Sequence, residues 1–134
     1  METGLLHLHR TLGYVIFIAA LVDLVLILTK ARSDARVAGV LAKVHAIGVL
    51  GAGRLNIVLG LAMMFVLPWV QLSSWWAWAG LLLWGPIEVI SKRFVKPEVA
   101  LVRDGGSASG RLLVGAVVEL LIIVAIFGLM TARP

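Results

Sequence analysis

The sequence predicts an all-α integral membrane protein built as a four-helix bundle. Of its 134 residues, 61% are hydrophobic and only 14% are charged, whereas soluble domains are roughly half apolar. The mean hydropathy of +1.05 points the same way. The apolar residues also collect into four runs, 12–29, 44–67, 75–90 and 112–131, each to be compared with the ~20 residues that cross ~30 Å of hydrocarbon. Lipid offers the backbone no hydrogen-bond partners, so each run is expected to be a helix. The length fits a single domain, 1–134. The chain has no cysteine, which excludes disulfides, thiolate zinc sites and Cys-ligated clusters.

The first run follows "METGLLHLHR", which has neither a basic region ahead of the apolar stretch nor a small-residue cleavage site. It is therefore expected to be a retained span rather than a signal peptide. The second run carries Arg54 and Asn56. At about 100° per residue, His45, Gly48, Ala52, Asn56 and Met63 share one face of it, and Arg54 lies opposite His45. Gly48 and Ala52 are small enough to let a neighbouring helix approach closely. The third run is the shortest. Pro86 interrupts it and Glu88 follows, which predicts a kink near a membrane boundary with an acid reaching outward. The fourth run holds Glu119.

The net charge of +5 lies between the runs rather than in a patch suited to nucleic acid. Lys30, Arg32, Arg36 and Lys43 separate the first two runs, and Lys92, Arg93, Lys96, Arg103 and Arg111 separate the last two. The middle connection, "PWVQLSS", has no charge, and the termini add only Arg10 and Arg133. Positive residues favour the cytoplasm, so two basic cytoplasmic loops and outside N- and C-termini are expected, in a cell membrane of the bacterial inner-membrane type. Trp69, Trp75, Trp76 and Trp78 gather at the uncharged connection, where an outer aromatic belt belongs. The last basic connection, "KRFVKPEVALVRDGGSASGR", reads as a loop ending in a flexible linker.

Ionisable groups inside a span are costly and mark candidate sites. Asp23, Arg54, Glu88 and Glu119, joined by His45 and Asn56, form the expected buried polar network. A guanidinium is tolerated there when paired, so Arg54 is expected to meet Asp23, Glu119 or Glu88. With three acids to one arginine, a surplus carboxylate is also available to carry a proton.

The opening "HLHRTLGY" resembles the H-R-x-L-G-Y start of cytochrome b561-like small four-helix membrane proteins, and "RLNIVLGLAMM" looks like their second span. The resemblance implies haem b held between helices by paired histidines, with His9 at the matching position. Arg54 and Glu88 stand where further histidines would be expected. Met63 and Met64, at the level of His9, offer a His/Met alternative for haem or copper. No catalytic triad, phosphate loop or zinc motif appears in the sequence.

Three functions remain open. The first is a non-enzymatic membrane module, forming a homo-oligomer or joining a larger membrane complex, with Arg54 tied to carboxylates. The second is haem-linked electron transfer through His9. The third is proton-coupled transport or conduction through Asp23, Glu88 and Glu119.

Overall fold

The computed structural model describes residues 2–67 and 72–132. Trp69 of the expected belt and Arg133 lie outside them. The described residues form four helices: α1 (Glu2–Thr29), α2 (Ala35–Val66), α3 (residues 75–103) and α4 (Gly110–Ala132). Three of them, over Thr3–Thr29, Ala35–Val66 and Gly110–Thr131, are long and apolar enough to cross a membrane. Large apolar side chains such as Ile18, Ile47, Phe65 and Leu121 lie exposed along them, as expected of a membrane protein rather than a soluble bundle.

The helices run further than the apolar segments that announce them. α1 begins ten residues before position 12, and α2 begins nine before position 44. The largest difference is in α3. The stretch expected as a loop after Ile90 is helical through Arg103, leaving only 104–109 as a connection. The physical reason is an amphipathic repeat: Val95, Val99 and Val102 all face inward while Lys96 and Arg103 face out. The "DGGSASG" segment is likewise an ordered turn. Gly105, at φ +93°, closes α3, with Gly106 N–H donating to Leu101 O and Gly105 N–H to Val102 O. Glu98 then accepts hydrogen bonds from both the Ser109 N–H (2.8 Å) and hydroxyl (3.0 Å), tying the start of α4 to α3.

α1 packs on α2 and α4, and α3 packs on α4. α2 and α3 meet closely at the basic end, but their other halves diverge and are bridged by long side chains, Trp84 on Gly53 and Trp76 on Met63 and Met64. The bundle is thus an up-down ring with a seam between α2 and α3. At the basic end, Ile27, Leu41, Val95, Val99, Val102 and Leu112 form an apolar layer. Where such a layer meets water, each buried Leu or Val contributes about 1.5–3 kcal/mol. Farther in, the helices meet through close packing of small residues. Gly48 shows this: a Cβ there would stand 2.6 Å from Ala19 Cβ, so only glycine lets α1 and α2 approach.

Candidate functional site

Each helix sends one polar group to a single buried point. Asp23 comes from α1, His45 from α2, Ser91 from α3 and Glu119 from α4, exposed by 4%, 3%, 1% and 3%. His45 Nδ1 and Asp23 Oδ2 share a hydrogen bond 2.9 Å long, and Glu119 Oε2 stands 3.7 Å from the same nitrogen. His45 Nε2 and Ser91 Oγ are 2.8 Å apart. A hydroxyl both donates and accepts, so Ser91 serves the imidazole whether Nε2 carries a proton or not. Asp23 Oδ1 and Glu119 Oε1 are buried without a hydrogen-bond partner.

Local backbone geometry helps to form this meeting point. His45 lies in a π-helical stretch, Val44–Gly51, and Ser91 opens a second one, Ser91–Val95. A π turn is wider than an α turn and turns the residues that follow it relative to those before; such turns concentrate at functional sites. Pro97, just beyond the second stretch, has no N–H to donate to the preceding turn and so weakens regular α geometry there.

Charge balance defines what the cluster can do. Two carboxyls and an imidazole are neutral overall with two added protons, either one on each carboxyl or one on a carboxyl and one on the imidazole. The two arrangements differ only by a proton moving between groups 2.9–3.7 Å apart. A third or a missing proton leaves a unit charge in a dry interior, which is costly.

Arg54 belongs elsewhere, and the single expected network is corrected to two. Among the described residues Arg54 pairs with Glu88, Nε to Oε1 and Nη2 to Oε2, both at 2.9 Å. The arginine side chain is 60% exposed and the glutamate 33%. The nine residues from His45 to Arg54 turn the guanidinium to the outside of α2, away from Asp23 and Glu119. Glu88 does not reach outward past a helix end, because α3 continues beyond it to Arg103. The Trp84 indole N–H also donates to Glu88 Oε1, at 3.1 Å.

Asn56 joins neither group. With His9, Met63 and Met64 it lines a cavity of about 630 Å³ in the half of the bundle opposite the basic loops. The 14 residues from His9 to Asp23 put that level ~21 Å along α1 from the cluster. His9 lies against Gly60, and both His9 Nδ1 and Asn56 Oδ1 are buried without a partner. The Trp84 ring covers Gly53 at the cavity floor so closely that a Cβ would overlap it.

The residues do not fit the paired-histidine haem site that the resemblance implies. His45 uses both ring nitrogens at the other level, and His7 is exposed at the start of α1. His9 is thus the one described histidine lining the cavity. Met63 and Met64 are buried with Leu67 against Leu5, Leu6 and Trp76, which places them in packing as well as on the cavity wall.

Two features escaped the sequence reading. Ser91 is uncharged and follows the apolar run, so only its level opposite His45 could have singled it out. A groove of about 700 Å³ between the basic halves of α2 and α3, with His45 in its wall, needed the helical reading of residues 91–103. Comparisons with family models, curated proteins and solved structures gave no match.

Proposed function

We propose that this chain is a non-enzymatic, proton-coupled membrane transport module, with Asp23, His45 and Glu119 as its proton-carrying group and Ser91 as the hydroxyl that serves both states of the imidazole. The carrying observation is the convergence of one polar group from every helix on one buried point, spaced for proton exchange. In this reading the bundle crosses the cell membrane with its basic loops in the cytoplasm and both termini outside, the orientation favoured by the distribution of Lys and Arg.

Access from two sides supports the reading. The groove at the basic end reaches His45, and the opposite cavity reaches Gly53 and Trp84. Between them stands a packed apolar layer that includes Ile16, Val49, Leu50, Ile87 and Ile123. A proton carrier needs such a barrier, since an open water path would leak.

The test is purified protein in vesicles holding a pH-sensitive dye, with a potassium diffusion potential driving protons inward. Wild type is expected to acidify the lumen faster than protein-free vesicles, with Asp23→Asn and Glu119→Gln falling to background. Equal rates in wild type, both variants and empty vesicles would overturn the proposal.

A second reading, an oligomer-forming packing module, is favoured by the exposed Arg54–Glu88 pair. An ion pair facing hydrocarbon is costly, and a second copy covering it removes that cost. Arg54→Ala is then expected to shift the protein toward monomer in mild detergent, and an unchanged oligomer size counts against this reading.

A further inference from the structure

The groove between the basic halves of α2 and α3 has an unusual wall. Arg36 and Lys43 line it from α2, and Lys96 and Arg103 line it from α3. The residues of each pair are seven apart, two helical turns, so each helix presents its two cations ~10 Å apart on one face. All four are exposed. Among the described residues the ion pairs join His45 to Asp23 and Glu119, and Arg54 to Glu88, so none of these four cations meets a carboxylate within ion-pairing distance. Of the nearby acids, Asp34 caps the N-terminus of α2 and Glu98 holds Ser109, and Asp104, exposed beside Arg103, pairs with none of the four among the described residues. Four like charges fixed on two packed helices repel one another unless an anion lies between them.

The floor of the groove indicates which anion. It is apolar, with Val40, Ala46 and Ile47 from α2 and Val95 and Val99 from α3. Ile47 is 72% exposed and lies within the long apolar stretch of α2. The groove therefore runs from a cationic rim onto the surface that faces acyl chains. A free phosphate would use the rim and leave the apolar floor bare. A phospholipid would use both.

We propose that this groove binds the phosphate headgroup of an anionic membrane lipid, with Lys43 and Lys96 at the His45 end, Arg36 and Arg103 two turns farther out, and an acyl chain along Ile47. Basic pockets between membrane helices on the cytoplasmic side bind such headgroups in general. The site stands independently of proton coupling, because lipid binding is read without any flux.

The test titrates phosphatidylglycerol into the purified full-length protein in detergent and reads bound lipid by native mass spectrometry. Phosphatidylcholine serves as the uncharged comparison and inorganic phosphate as the competitor. Phosphatidylglycerol is expected to bind in preference to phosphatidylcholine and to resist displacement by phosphate. Lys43→Gln with Lys96→Gln should weaken it about 30-fold, at roughly one lipid-facing charge each. Lys30→Gln with Arg32→Gln removes the same net charge outside the groove and should leave binding unchanged. Thermal unfolding in phosphatidylcholine micelles checks that both double variants fold. Arg36→Gln with Arg103→Gln replaces the first pair if it does not. Equal binding of the two lipids, displacement by phosphate, or an equal loss in the control pair would overturn the proposal.

Discussion

The Asp23–His45 contact and the Arg54–Glu88 pair are both 2.9 Å long, yet their settings differ. The first has side chains 4–5% exposed, at the junction of four helices. The second is 60% and 33% exposed, on the outer face of two helices whose backbones diverge along those halves. Bond length therefore says little about role. Removing a member of the buried group leaves polar atoms with no solvent to turn to, whereas the outer pair is free to find water or a second copy. The cluster is a candidate for chemistry, and the pair is a candidate for assembly.

The sharpest way to break this contrast is at His45. His45→Ala leaves Asp23 Oδ2 and Ser91 Oγ without their buried hydrogen-bond partner, and unfolding in micelles is expected to become easier by about 2–6 kcal/mol, at ~1–3 kcal/mol for each buried group left unsatisfied. A change no larger than that of Arg54→Ala would erase the distinction between the two regions. Next comes Gly53→Val, which drives the Trp84 ring from its seat on α2 and loosens its hydrogen bond to Glu88. Overpacking of this kind costs about 1–3 kcal/mol, and Trp84 fluorescence in a protein lacking the other tryptophans should shift with it. Ser91→Ala removes one hydrogen bond from His45 and should cost about 1 kcal/mol, while proton flux slows because Nε2 loses its adaptable partner. The smallest effect on unfolding is expected from Arg54→Ala, whose consequence should appear in oligomer size instead.

Much of the fold was legible in the sequence because lipid-facing helices must be apolar for most of their length. The positions of Asp23, Glu119 and His45 were legible for the same reason, since ionisable residues stand out in such runs. What a helix does beyond its apolar run was harder to read. Residues 91–103 carry enough lysine and arginine to resemble a loop, although Val95, Val99 and Val102 already show a helical repeat. The partner of Arg54 could be narrowed by its position opposite His45, but choosing Glu88 required knowing that α2 and α3 are neighbours across a seam. The π-helical stretches at His45 and Ser91 left no compositional mark, because they depend on how four helices pack together.

The central claim is that Asp23, His45 and Glu119 share protons as one neutral group inside the bundle. Infrared spectroscopy of the protein in bilayers at neutral pH tests it most directly, because both neutral arrangements contain at least one protonated carboxyl. The account predicts a carboxylic-acid carbonyl band that persists in wild type and in Arg54→Ala, and disappears when Asp23→Asn and Glu119→Gln are combined. A wild-type spectrum without that band, or a band untouched by the double substitution, would contradict it.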